Sequence, residues 1–124
     1  MKIKFKKMQS NGNDFLITED KNILNLNAKK LSNRKKGIGF DQLLLLKRSK
    51  EIWKVRVFNA DGSEARNCFN GLRCLADYSI RNKQEIKVFE NTYTVVLNKE
   101  SSKKIATVIS KMPKGKKIQD FYYV

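Results

Sequence analysis

Apolar and polar positions alternate with a period of two along much of the chain, the pattern of half-buried strands. Ile3 and Phe5 stand between lysines and predict an opening edge strand. Residues 10–14, Ser-Asn-Gly-Asn-Asp, are dense in turn formers and lead into a second strand over 15–18. A short helix is expected over 26–33, ended by Gly37 and Gly39. The leucine run within 41–47 reads as a strand buried on both faces, whereas 53–58 alternates apolar and basic residues like a half-exposed one. Residues 59–64 form a polar turn containing Asp61-Gly62.

After Cys68 the period changes. Leu72, Leu75, Ala76 and Ser79 recur at i, i+3, i+4 and i+7, a small or apolar stripe that predicts a helix buried against a sheet. Strands follow over 85–89, 92–97 and 104–110, the first two joined as a hairpin about Glu90-Asn91. Then come a basic, breaker-rich stretch over 113–117 and an aromatic end over 121–124. Strands dominate around one main helix, which is an α+β order rather than a βαβ repeat. There is no internal repeat and no low-complexity segment.

At 124 residues, 40% hydrophobic, the chain is long enough for one domain with a core. No apolar run approaches the ~20 residues of a membrane span, and no apolar stretch follows the basic N-terminus as a secretory signal would. Two cysteines are too few for a disulfide scaffold. A soluble, cytoplasmic setting is expected. The formal charge of +15 raises the question of nucleic acid, yet only six of the 27 cations are Arg and they spread along the whole chain. Dispersed lysine is the composition of a solvated face, and no recognition-helix or RNA-binding signature accompanies it, so a nucleic-acid partner is not expected.

Histidine is absent. That excludes Ser-His-Asp and Cys-His sites within the chain and any His-ligated zinc; no metal site is expected. Acid–base chemistry near neutral pH then falls to a thiol, a carboxylate or an amine. Cys68 immediately precedes the predicted helix, with Asn70 and Gly71 at its entrance. Amides at a helix N-terminus favour an anion, so they are expected to lower a nearby thiol pKa and to cradle a carboxylate. The alternative for Cys68 is an inert core cysteine. Cys74, six residues on, turns to another face of the helix and lies about 9 Å deeper along its axis. It is expected in the core, too far from Cys68 for an unstrained disulfide.

The order of the polar motifs is more informative than any one of them. Lys7-Met8, Gly12-Asn13-Asp14-Phe15, Gly37-Ile38-Gly39-Phe40-Asp41-Gln42, Phe58-Asn59-Ala60-Asp61-Gly62-Ser63-Glu64, and Cys68 with Asn70, Gly71, Arg73 and Cys74 follow one another at characteristic spacing. Over about residues 1–110 the chain resembles the N-terminal half of the diaminopimelate epimerase family. The resemblance implies a curved, mostly antiparallel sheet wrapped around one central helix. It also implies stereoinversion of LL-2,6-diaminoheptanedioate to the meso form, in lysine and peptidoglycan biosynthesis, without pyridoxal phosphate or any other cofactor. Two thiols would face opposite sides of the substrate α-carbon, Cys68 matching one of them. Asn13, Gln42 and Asn59 match side chains that hold the substrate, and the backbone of Phe69, Asn70 and Gly71 matches the segment that binds its α-carboxylate.

Two departures stand out. The family carries Gly where this chain has Phe69, whose ring crowds the carboxylate cradle if φ there is positive and points away if φ is helical. The resemblance also implies a second domain bearing the other thiol. On that basis residues 1–112 are expected to be one lobe and 113–124 a basic segment leading to the other. The lobe alone is expected to have little activity, with the second thiol supplied in trans or by a homodimer opposing two copies of Cys68. Rival readings are another two-thiol racemase, such as one acting on proline, and a non-catalytic basic nucleic-acid-binding module on the same fold.

Overall fold

Asn11 and Gly12 close the first hairpin, both at positive φ (55° and 84°). Such a two-residue turn matches the twist of antiparallel strands and needs residues that tolerate the left-handed region. It joins β1 (Lys6–Ser10) to β2 (Asn13–Thr18), with Ser10 opposite Asn13 and Met8 opposite Phe15. The computed structural model describes residues 2–66, 68–79, 82–100, 103–111 and 118–123. The opening strand expected at Ile3 and Phe5 is displaced, for pairing starts at Lys6 opposite Ile17 and Phe5 is exposed. Because β2 ends at Thr18, Ile3 and Lys4 lie beyond the ladder, although Thr18 Oγ1 still donates to the Lys4 carbonyl at 2.7 Å.

The helix expected over 26–33 is shortened to α1 (Ala28–Ser32), and a 3-10 turn (Lys21–Asn25) not expected from the sequence precedes it. Two caps keep them apart. Asp20 Oδ1 accepts from the Asn22 amide at 2.9 Å and Asn27 Oδ1 from the Lys30 amide at 3.2 Å, leaving Leu26 extended between them. β3 (Gln42–Lys47) lies parallel to β2 and antiparallel to β4 (Ile52–Asn59). Its leucines serve both faces: Leu44 and Leu46 enter the main core, while Leu43 joins Leu16, Ile23 and Phe40 in a second cluster. β4 alternates buried Trp53, Val55 and Val57 with exposed Lys54 and Arg56.

A short β5 (Glu64–Ala65) folds back on the end of β4. The chain then crosses through α2 (Phe69–Tyr78) to β6 (Lys83–Val88), parallel to β4. β7 (Asn91–Glu100), β8 (Lys103–Lys111) and β9 (Ile118–Tyr123) follow, each antiparallel to the last. Phe89, expected to end the strand of 85–89, instead opens the turn at φ 56°, exposed and covered by the Arg66 guanidinium at 4.9 Å. Its apolar character marks a stacking partner there, not a strand position. The expected basic segment over 113–117 lies outside the described residues.

The sheet order is β1-β2-β3-β4-β6-β7-β8-β9. α2 touches β1 near one edge and β7 and β8 near the other, so the twisted sheet is curled around one helix. This is the expected α+β class, a half-barrel in which the pairs β2/β3 and β4/β6 are parallel and the rest antiparallel. At the far end of α2 the Tyr78 hydroxyl donates to Glu19 Oε2 at 3.0 Å, and Arg48 Nε donates to Glu19 Oε1 at 2.7 Å.

Candidate active site

Strand register decides which side chains meet. Gln42 sits opposite Asn59 across β3 and β4, and Phe15 sits beside Gln42 across β2 and β3. Asn13 is two residues before Phe15 and so shares its face, the one that packs on α2. β2 and β3 begin at this end of the sheet and β4 finishes there. Three amide side chains, Asn13, Gln42 and Asn59, are thereby gathered at one rim, Asn13 exposed and the other two half-buried.

Asp14, next to Asn13, points the other way and fastens the loop that leads into β3. Its amide donates to Asp41 Oδ2 and its Oδ1 accepts from the Asp41 amide, both at 3.0 Å. Arg34 grips it with two bonds of 2.9 and 2.8 Å, and Lys7 adds a third at 2.7 Å. The Arg34 guanidinium, helped by Lys7 and opposed by burial, holds the Asp14 carboxyl well below the usual carboxylate range. The Gly-Asn-Asp motif is therefore divided: Asn13 faces the rim, and Asp14 fixes where Gln42 starts.

Cys68 is the N-cap of α2, a position usually held by Ser, Thr, Asp or Asn. Its Sγ accepts from the Gly71 amide at 3.4 Å, and its S–H donates to Gln42 Oε1 at 2.6 Å. Gln42 Nε2 in turn donates to Asn59 Oδ1 at 2.8 Å. The helix start is where the sequence places it, yet the expected lowering of the thiol pKa does not result. Burial pushes the Cys68 thiol above its ordinary value, and the Gly71 amide offsets only part of that. Thiol sulfur is a weak acceptor, so the single Gly71 N–H offsets little, and the Gln42 carbonyl favours the protonated form.

Phe69 opens the helix without positive φ, since Asn11 and Phe89 are the non-glycine residues in that region among the described residues. Its ring packs edge-on against Tyr93 with centroids 5.6 Å apart, toward the core. Of the two outcomes open for this position, the ring therefore points away. Asn70 Oδ1 accepts from Arg73 Nη1 within the helix, and the Gly71 amide of the first turn meets the sulfur. Gly71 is buried, and a Cβ there would lie 3.0 Å from Cys68 Sγ and 3.1 Å from Leu44 Cδ1. Gly71→Ala gains ~1 kcal/mol of helix propensity but meets an overpacking cost of about 1–3 kcal/mol, so a net loss near 1 kcal/mol is expected. Urea unfolding reads that loss, and faster alkylation of Cys68 reports the displaced sulfur.

Cys74 is buried in α2 as expected, and burial, with a smaller contribution from Cys68, pushes its thiol up to about 12. Asn67 lies outside the described residues. Sequence reasoning missed Ser63 and Asp61, which extend the amide pair as described below. It also missed Ser10, which is 7% exposed and faces the same side as its partner Asn13. The signal for Ser63 was its register with Asn59 across a tight turn, indistinguishable in sequence from ordinary turn chemistry. Among the described residues, no three His, Cys, Asp or Glu side chains form a metal-sized cluster, and no helix is long and apolar enough to cross a membrane.

Fold and site together define an α+β lobe with one capped thiol at a helix N-terminus, faced by side-chain amides from neighbouring strands. Residues 5–113 match the family model described as diaminopimelate epimerase. The chain is similar to the diaminopimelate epimerase of Buchnera aphidicola subsp. Baizongia pistaciae (strain Bp), at 41% identity over 79% of this chain and 38% of that protein. It is 40% identical to that of Blochmanniella floridana, over 77% of this chain and 39% of the relative. For Coxiella burnetii (strain RSA 493 / Nine Mile phase I) the identity is 37%, over 71% and 36%. The chain belongs to the diaminopimelate epimerase family and spans little more than a third of the length of these curated relatives.

Proposed function

We propose that the chain is the lobe of a diaminopimelate epimerase that carries one of its two acid–base thiols. It would convert LL-2,6-diaminoheptanedioate to the meso form in the cytoplasm without a cofactor. The observation that carries this reading is the Cys68 thiol at the N-cap of α2, hydrogen-bonded to Gln42 at 2.6 Å and to the Gly71 amide at 3.4 Å. In the proposed reaction a thiolate on the opposite face removes the α-proton as Cys68 gives its proton to the carbon. One C–H bond breaks, another forms with inversion, and each sulfur exchanges its protonation state; no electrons leave the substrate. The backbone amides of Phe69, Asn70 and Gly71 would receive the α-carboxylate, which takes up charge as the proton leaves. Asn13, Gln42 and Asn59 would hold the remaining polar groups.

Cys74 is a poor second thiol, being buried in the helix with its pKa pushed to about 12. We therefore assign the opposing thiol to a partner lobe, with residues 1–112 and the strand β9 (Ile118–Tyr123), which pairs with β8, as this lobe. The partner lobe would also exclude water from the site, which strengthens every hydrogen bond to the developing charge. The test mixes this chain with the remaining portion of the Buchnera relative and follows inversion of diaminopimelate. Turnover is expected to rise by about 10²-fold or more over the chain alone. Equal turnover with and without the added portion would refute the two-lobe reading, and inversion of proline in place of diaminopimelate would reassign the substrate.

A further inference from the structure

We infer that Asp61 and Ser63 are positioning residues that fix the amide orientation of Gln42 and so keep the Cys68 sulfur facing a hydrogen-bond acceptor. The inference deepens the proposed function, since it rests on Cys68 as the acid–base group.

The bonds run in one direction from the thiol to a carboxylate. Cys68 Sγ donates to Gln42 Oε1 at 2.6 Å, Gln42 Nε2 to Asn59 Oδ1 at 2.8 Å, and Asn59 Nδ2 to Ser63 Oγ at 3.0 Å. Ser63 Oγ completes the series by donating to Asp61 Oδ1 at 2.6 Å. An ionised carboxylate only accepts, and a hydroxyl has a single hydrogen. Once that hydrogen goes to Asp61, Ser63 Oγ can only accept from Asn59. Asn59 must then present Oδ1 to Gln42, and Gln42 must present Oε1 to the sulfur. Reversing either amide would set two acceptors or two donors against each other along the series.

The turn that carries the series is itself held. The Asn59 amide donates to the Ser63 carbonyl at 2.7 Å, the Gly62 amide to the Asn59 carbonyl at 2.9 Å, and the Ser63 amide to Asp61 Oδ1 at 2.9 Å. Bonds from Ser63 lower the Asp61 pKa, so its charge persists wherever a thiol titrates. The consequence at Cys68 is a sign. A carbonyl acceptor stabilises S–H and opposes S⁻, whereas the Gln42 amino group in that place would do the reverse.

The other ionisable groups on α2, among the described residues, are Arg73, Cys74, Asp77 and Tyr78. The strands packed on the helix add Lys6, against Tyr78 on β1's side, and Tyr93 on β7. They are the same in every variant below and set the baseline, not the difference. Lys29 acts on Asp61 from outside the series.

The experiment measures iodoacetamide alkylation of Cys68 against pH, resolved by peptide mass, in the chain itself and in Ser63→Ala, Ser63→Thr and Asp61→Asn. Ser63→Ala removes the acceptor that fixes Asn59, and Asp61→Asn removes the charge that fixes Ser63. Each is expected to lower the apparent Cys68 pKa by about one unit, roughly tenfold more thiolate at a given pH below it. Ser63→Thr keeps the hydroxyl and is expected to retain the parental profile. Asp61 and Ser63 are exposed, and continued protection of buried Cys74 certifies the fold; if Asp61→Asn loses that protection, Ser63→Ala decides. An unshifted profile in Ser63→Ala, or an equal shift in Ser63→Thr, overturns the inference. No substrate enters the measurement, so its outcome is separate from that of the epimerisation test.

Discussion

Cys68→Ala is expected to reduce inversion of diaminopimelate by the assembled two-lobe enzyme about 10²–10⁴-fold, the range for losing a positioned proton-transfer group. Alanine also removes the helix cap, a loss typically worth ~1 kcal/mol, so this variant alone would confuse chemistry with stability. Cys68→Ser separates them. Its hydroxyl can still accept from the Gly71 amide and donate to Gln42, the two bonds made by the thiol. Its pKa, however, is far too high for proton exchange near neutral pH. The serine variant should therefore unfold close to the parental urea midpoint yet lose nearly as much activity as the alanine variant. Deuterium incorporation at the α-carbon in D₂O, read beside the midpoint, checks both halves. A serine variant within tenfold of the parental rate would remove the thiol from the chemistry.

Much of this arrangement was legible in the sequence because it is local. A helix period beginning right after Cys68 places that residue at the N-cap, and the structure puts it there. The two-residue hairpin at Asn11-Gly12 and the two-faced leucine strand are likewise written in single stretches. What escaped depends on contacts distant in the chain. Phe89 looks like a strand residue until Arg66, 23 positions away in the sequence, is known to lie on its ring. The direction of the Cys68 pKa depends on distant contacts too: the helix start is visible in the sequence, but the burial that outweighs the Gly71 amide is not. The amides at the rim were marked by motif resemblance, whereas their meeting follows from register, β3 beginning where β4 ends. Phe69 could be judged only once Tyr93 was in place beneath its ring.

Leu75→Ala is expected to be the most damaging single truncation of the helix that carries the thiol. Leu75 is fully buried in α2, which touches the sheet through β1 on one side and β7 and β8 on the other. Removing its side chain should cost about 2–5 kcal/mol, a large part of the ~5–15 kcal/mol that holds a domain folded. With m of about 2 kcal/mol/M, the urea midpoint should fall by about 1–2.5 M. Truncating exposed Leu24 should move it by less than about 0.5 kcal/mol. The comparison belongs near pH 7. Both thiols titrate higher in the folded chain than when exposed, Cys74 at about 12, so stability they contribute below their ordinary pKa is lost as pH rises toward those values. The site should feel the same cavity. α2 is tied at one end by Tyr78 to Glu19 and at the other by Cys68 to Gln42, and Leu75 lies between the ties. Slack in the middle frees the weaker end, where a thiol holds a single carbonyl, so alkylation of Cys68 should quicken before global unfolding does. If the midpoint falls while Cys68 reacts at its parental rate, the thiol is seated by its own turn and not by the packing of the helix against the curled sheet.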